Sequence, residues 1–284
     1  MSRTSTVVLI TGCSSGIGEA TALYLVKRGW RVYATARKAE SLGKLAAAGC
    51  KTLALDVTDE GSMQHAVAAV IAAEGAVDVL INNAGFSQSG ALETLTTAQL
   101  RDQFETNVFG LMRLTQLVLP GMRAQGRGRI VNISSMGGKL TFPGGGAYHA
   151  TKHALEALSD ALRFEVQGFG VDVIVIEPGL IRSGFAEAAQ KTMAGTTGEG
   201  PYDAFNAAVA RATREVYEKG PLAWLGGKPI HVARVIAGAL KASRPRPRYT
   251  VTASASLLLF MRRWMSDRAW DNFLKGNFPQ PGKS

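Results

Sequence analysis

The stretch Thr6-Val7-Val8-Leu9-Ile10-Thr11-Gly12-Cys13-Ser14-Ser15-Gly16-Ile17-Gly18 decides how the rest of the chain is read. Its first half is a short apolar run without clean alternation, the pattern of a strand buried on both faces. Glycines follow at 12, 16 and 18, and apolar residues then recur at helical period as far as Arg28. In a chain with 32 glycines a glycine-rich turn is weak evidence by itself. At the first strand-to-helix junction it is strong. Residues without a Cβ let the backbone approach a pyrophosphate, and the helix N-terminus offers unpaired N–H groups and a positive dipole end. Ser14 and Ser15 add hydroxyl donors beside Ile17.

Outward from this junction, short apolar runs alternate with helical patterns. Strands are expected at Thr6–Thr11, Arg31–Ala36, Thr52–Leu55, Val77–Ile81, Arg129–Ser134, Val171–Glu177 and Tyr249–Thr252. Helices are expected at Gly18–Arg28, Ser62–Glu74, Ala98–Gln125, Ala147–Gln167 and His231–Ala242. This βαβα rhythm implies an α/β fold with a parallel sheet covered by helices on both faces. Residues 184–229 break it with a long insertion that carries a helical pattern at Ala204–Glu218. A connection of that length in a compact domain reads as a functional lid. A tail at 254–284 adds the apolar run Leu257–Met261 followed by Arg262, Arg263 and Trp264, whose common outcome is a packed C-terminal helix.

A length of 284 residues suits one large α/β domain or two small ones, and the unbroken rhythm up to residue 180 favours a single domain over 1–284. Hydrophobic residues at 46%, charged residues at 19% and a mean hydropathy of +0.05 exclude a disordered or fibrous chain. The net charge of +10 admits nucleic acid, anionic lipid or phosphorylated ligands as partners. Its distribution argues against nucleic acid, since Lys241–Arg248 and Arg262-Arg263 lack interleaved aromatics and read as solvated surface. Cys13 and Cys50 are too few for a disulfide framework and have no zinc-site spacing, so both are expected as reduced thiols, with no metal site. The apolar run after Met1 is too short for a signal segment or a membrane span, and the expected location is cytoplasmic.

The second expected strand ends in Tyr33-Ala34-Thr35-Ala36-Arg37-Lys38, with cations where NAD proteins carry a carboxylate for the adenosine ribose. Arg37 would pair with a 2′-phosphate, so NADP is expected over NAD. In Tyr148-His149-Ala150-Thr151-Lys152 a spacing of four brings Tyr148 and Lys152 onto one helix face. A neighbouring ammonium stabilises a phenolate and would lower the Tyr148 pKa towards the working range, fitting it for proton exchange with an alcohol or carbonyl. Ser134-Ser135 ends the preceding strand at the carboxyl edge, where ligands bind in open α/β sheets. Asn107 lies mid-helix, where asparagine is a poor helix former and calls for another reason. His149 reads as helix surface.

Thr11-Gly12-x-x-x-Gly16-x-Gly18, Asn82-Asn83-Ala84-Gly85, Asn107, Ser135, Tyr148-x-x-x-Lys152 and Pro178-Gly179 stand in the order and spacing of the short-chain dehydrogenase/reductase family, which the chain resembles over roughly residues 6–250. The resemblance implies a Rossmann-type, doubly wound, seven-stranded sheet and hydride transfer between nicotinamide and an alcohol or carbonyl carbon. It implies Tyr148 as general acid/base, Lys152 as holder of the nicotinamide ribose, Ser135 as polariser of the substrate oxygen and Asn107 as anchor of a water-linked proton relay. Asp56 and Val57 would meet the adenine, Asn83, Ala84 and Gly85 the ribose side, and Ile181, beside Pro178-Gly179, the carboxamide. Ser183 stands where the family commonly has a threonine for the carboxamide, which keeps a hydroxyl there.

The chain is further similar to the branch that holds 17β-hydroxysteroid and retinol dehydrogenases. A bulky lipophilic alcohol or ketone is the substrate this implies, with 3-oxoacyl thioester reduction as the alternative and a non-catalytic NADP-sensing protein as the alternative of another class. Met136, Leu140 and Phe142 between Ser135 and Tyr148, with Leu180, Phe185, Met193, Phe205 and Trp224 on or beside the lid, are the apolar residues expected around the substrate. A homodimer or homotetramer without membrane contact is expected.

Overall fold

The computed structural model describes residues 6–193, 200–218, 223–278 and 280–282. Parts of the expected lid, at 194–199 and 219–222, and of the tail, at 279 and 283–284, lie outside the described residues.

The sheet has seven parallel strands: β1 (Val7–Ile10), β2 (Arg31–Ala36), β3 (Lys51–Ala54), β4 (Val79–Asn82), β5 (Gly128–Ile133), β6 (Val171–Pro178) and β7 (Arg248–Val251), in the spatial order β3-β2-β1-β4-β5-β6-β7. Each expected strand is present within a few residues of its expected bounds. Alternation of side chains splits β1 between two cores. Val8 and Ile10 face a cluster closed by helices α1 (Gly16–Val26) and α9 (Pro229–Lys241). Val7 and Leu9 face a second cluster closed by α3 (Glu60–Glu74), α5 (Gly110–Ala124) and α6 (Gly146–Val166). Both faces of the strand are therefore dry, which is why its sequence shows an unbroken apolar run. Cys13 and Cys50 are buried free thiols, and burial raises their pKa values to about 12 and about 11.

The strand order reverses between β1 and β4, so the loops at their carboxyl ends diverge and leave a crevice. A buried polar chain fixes the central strands under that crevice. Asn82 donates to Asn132 at 2.9 Å and to Thr115 on α5 at 3.0 Å, and Asn132 donates to Ser159 on α6 at 2.9 Å.

The expected single helix Ala98–Gln125 is three pieces: α4 (Thr97–Phe104), a π-helical turn at Glu105–Phe109, and α5. The widened turn contains Asn107, so the residue that is out of place in a regular helix marks where the helix departs from regularity. A short α2 (Gly43–Ala47) was not expected. The insertion holds α7 (Phe185–Met193) and α8 (Asp203–Glu218).

The tail forms α10 (Ala253–Trp264) and α11 (Asp267–Lys275). It packs on the domain through Leu258 and Trp270, which bury Leu140, while Leu257 and Phe260 face outwards. Among the described residues no helix is long and apolar enough to cross a membrane. The expectation of solvated surface over Lys241–Arg248 fails at its end. Arg248 pairs with the buried Glu156 at 2.9 Å and with Asp160 at 2.7 Å.

Candidate active site

A cleft of about 1420 Å³ runs along the carboxyl edge of the sheet from the glycine turn to the tail. At one end the turn is held from behind. Asn83 donates through Nδ2 to the carbonyls of Thr11 and Gly12, both at 2.9 Å, while Thr11 Oγ1 accepts from the backbone N–H groups of Asn83 and Ala84 at 3.0 Å. Gly12 adopts φ +68°, and a Cβ there would lie 2.8 Å from the Ala84 Cα. A Cβ on Gly18 would lie 2.3 Å from the Gly12 oxygen. Both positions exclude any side chain. Asn83, expected on the ribose side of a cofactor, has its amide donors committed to the loop itself.

This end fits an anionic dinucleotide on its own geometry. Ser15 caps α1, yet its side chain makes no capping hydrogen bond, so the first N–H groups of that helix are left for a ligand. Gly12, Ser14, Ser15, Gly16 and Ile17 line the cleft there, together with Arg37, Asp56, Val57, Asn83, Ala84 and Gly85. Gly18, buried against Gly12, shapes the turn without lining the cleft. Arg37 is exposed, and among the described residues its guanidinium makes no ion pair. Asp56 Oδ1 already accepts from the Thr58 N–H at 2.9 Å and hydroxyl at 2.8 Å. On the far wall stand Pro178, Gly179, Ile181 and Ser183, and a Cβ on Gly16 would reach Ser183 Cβ at 3.7 Å.

In the middle of the cleft the Ser135 hydroxyl stands near enough to Tyr148 to act on its pKa, and it accepts from the Gly137 N–H at 3.0 Å. That bond fixes the hydroxyl's orientation. Lys152 is buried, with Nζ donating to the Ile133 carbonyl at 2.7 Å and standing 5.6 Å from the Tyr148 ring centre. Burial lowers the Lys152 pKa to about 8, opposed by the charge of Glu156.

The Tyr148 pKa moves the other way from the sequence-based expectation. Burial raises it, neighbouring Ser135 lowers it and nearby Tyr217 raises it further. The ammonium expected to stabilise the phenolate is turned to the Ile133 carbonyl, and desolvation prevails.

Asn107 occupies the π turn with both amide donors in use. Nδ2 donates to the Phe86 carbonyl at 2.9 Å and to Thr151 Oγ1 at 3.1 Å, and Oδ1 accepts from the Phe86 N–H at 3.1 Å. The side chain ties the loop after β4 to the helix that carries Tyr148. Its amide donors are thus committed to holding the fold and are not available to a water relay.

The far end of the cleft is largely apolar. Met136, Phe142, Leu180 and Phe185 line it as expected, and the Phe185 ring packs 5.5 Å from that of Tyr148. Four expected residues lie elsewhere. Met193 and Phe205 form a small core with Ala91 and Val209, and Trp224 is 90% exposed. Leu140 is buried under the tail helices and does not reach the cleft. The lid needs a core of its own, and Met193 and Phe205 supply it.

Residues the sequence reading missed complete the wall: Val209, Val216 and Tyr217 from α8, and Leu258, Phe273 and Phe278 from the tail. The expectation of His149 as helix surface is also corrected. It is 9% exposed, lines the cleft, and accepts the Phe142 N–H at Nδ1 at 3.1 Å. Among the described residues no group of three metal-ligating side chains occurs.

The model of the short chain dehydrogenase family matches residues 6–194. A relative from Escherichia coli strain K12, the uncharacterized oxidoreductase YbbO, is 38% identical over 270 residues, covering 95% of this chain and 94% of its own. A 3-ketodihydrosphingosine reductase from Bacteroides thetaiotaomicron is 43% identical over 182 residues, covering 64% of this chain and 66% of its own. Among solved structures, a serine dehydrogenase in complex with NADP+ superposes with a TM-score of 0.75 at 27% identity, over 87% of this chain and 94% of that one. The seven-stranded order, the glycine turn and a family match across two thirds of the length agree, and the chain is an oxidoreductase belonging to the short chain dehydrogenase family.

Proposed function

We propose that the protein is an NADP(H)-dependent oxidoreductase for a secondary alcohol/ketone, or a primary alcohol/aldehyde, of a bulky lipophilic substrate of steroid, retinoid or long-chain type. The observation that carries this reading is the placing of Ser135 beside Tyr148, between an anion-fitting loop and a predominantly apolar wall. A nicotinamide cofactor, when bound, supplies or accepts the hydride. The substrate oxygen takes a place within reach of both hydroxyls. Ser135 donates a hydrogen bond to it, and Tyr148 passes it the phenolic proton as negative charge develops. A phenol held protonated by burial is an acid ready for carbonyl reduction. Lys152 holds the cofactor's ribose and places positive charge beside Tyr148. In this reading the protein works in the cytoplasm as a homodimer or homotetramer.

The apolar wall supports a lipophilic substrate, since burial contributes about 25 cal/mol per Å², whereas a sugar would find few partners for its hydroxyls. The relative named as a 3-ketodihydrosphingosine reductase supports the same class. A ladder of ketones of increasing apolar size tests it. kcat/KM is expected to climb steeply with size, and a preference for small polar carbonyls would overturn the substrate class.

Arg37 supports NADP. Its free guanidinium stands at the end of β2, where a carboxylate would repel a 2′-phosphate. Arg37→Ala is expected to lower the NADP-to-NAD ratio of kcat/KM by about ten- to a hundredfold, the equivalent of a charge-assisted contact of roughly 1.5–3 kcal/mol. An unchanged ratio would assign Arg37 to the solvated surface.

A further inference from the structure

We infer that His149 recognises substrate directly: its Nε2–H binds a second oxygen, one or two carbons from the reacting carbonyl, so the site favours ketones oxygenated there over plain ketones of equal size. This rests on the reading above that Ser135 and Tyr148 receive the reacting oxygen.

Four observations converge on it. The Phe142 N–H donates to Nδ1 at 3.1 Å, so in the neutral ring the proton is on Nε2. Burial, helped by His153, lowers the His149 pKa to about 4, which keeps the ring neutral at physiological pH. Nε2 has no hydrogen-bond partner among the described residues, although the side chain is 9% exposed and lines the cleft. A donor that meets no protein group and opens to the cleft is placed to meet a ligand oxygen there.

The ring is also held rigidly. It lies between two glycines, where a Cβ on Gly137 would stand 2.5 Å from Cδ2 and one on Gly145 would stand 2.8 Å from Cε1. Phe142 meets its face edge-on at 6.1 Å. Most telling is the neighbour of Nε2. The same Cβ on Gly137 would lie 3.0 Å from Nε2 and 3.4 Å from Ser135 Oγ, so the two polar groups are no more than about 6.4 Å apart. A carbonyl oxygen on Ser135 puts an oxygen on the adjacent or next carbon within reach of Nε2. The chemistry that fits is a ketone with an ester, thioester or hydroxyl oxygen close by and an apolar tail along the wall.

The test is a pair of substrates, a 3-oxoester and the plain ketone of the same chain length, assayed with wild type, His149→Asn and His149→Gln. Asparagine keeps an acceptor for the Phe142 N–H but presents nothing at the Nε2 position, whereas glutamine can place an amide N–H there. His149→Asn is expected to lower the oxoester-to-ketone ratio of kcat/KM about tenfold while plain-ketone turnover stays within about threefold, and His149→Gln to recover part of the ratio. An unchanged ratio, or an equal fall on both substrates, would overturn the proposal. If wild type turns over neither compound, the functional reading fails, and the imidazole ¹⁵N spectrum decides for His149. A neutral, Nε2-protonated ring at pH 7 whose Nε2 signal shifts with the 3-oxoester and not with the ketone supports it. A charged or Nδ1-protonated ring, or no shift, refutes it.

Discussion

Tyr148→Phe is expected to lower kcat a hundredfold or more while leaving NADP(H) affinity within a few-fold of wild type. The substitution keeps the ring and its packing 5.5 Å from Phe185, and it removes only the hydroxyl that stands near Ser135. If that hydroxyl delivers the proton to the substrate oxygen, nothing else in the cleft replaces it at that place. Lys152 Nζ is turned to the Ile133 carbonyl, and the His149 Nδ1 is occupied by the Phe142 N–H. General acid/base groups contribute typically 10²- to 10⁴-fold, so a variant retaining more than about a tenth of kcat would remove Tyr148 from the acid/base role. Cofactor affinity, read by fluorescence titration with NADPH, separates this outcome from a collapsed site. A parallel fall in affinity and kcat would point to packing instead.

The parts of this site that were legible in the sequence are those whose physics is local. The glycine turn announces itself because a backbone packed 2.8 Å from where a Cβ would stand admits only one residue type. Tyr148 and Lys152 are paired by helix geometry alone. The doubly buried strands show as unbroken apolar runs because β1 sends side chains into two cores.

What escaped the sequence reading depends on segments distant along the chain. An apolar stripe on a lid helix looks the same whether it packs a core or lines a cleft, so Met193, Phe205 and Val216 could not be told apart. Their separation is set by Ala91, far upstream, which closes the small core with Met193 and Phe205. Leu258, Phe273 and Phe278 reach the cleft only because the tail folds back over Leu140. The buried state of His149 likewise depends on Gly137 and Gly145, whose missing side chains make room for the ring. Asn107 gave a partial signal. Its poor helix propensity marked an irregularity, but the π turn and the bonds to Phe86 and Thr151 that explain it are tertiary.

Lys152→Met is expected to abolish most turnover and, in the same molecule, to stabilise the ligand-free fold at pH 7. The side chain is 7% exposed, and burial holds its pKa at about 8 against 10.5 for a free lysine. Below about pH 8 the lysine is charged in both folded and unfolded states, so the fold bears the full cost of burying the ammonium. Between about 8 and 10.5 the unfolded chain binds more protons than the folded one, and stability rises with pH as that cost fades. Each pKa unit corresponds to about 1.4 kcal/mol, and the lost bond to Ile133 offsets part of the gain, which leaves a net stabilisation of roughly 1–3 kcal/mol at pH 7. Thermal melts without cofactor should show the variant a few degrees above wild type at pH 7, with the gap closing by about pH 10.5. Turnover should fall a hundredfold or more if, as proposed, the charge that burdens the ligand-free fold is the one that holds the cofactor's ribose. A variant less stable than wild type at both pH values would instead mean that the Nζ bond to Ile133 supports the end of β5 and that burial of the charge costs little.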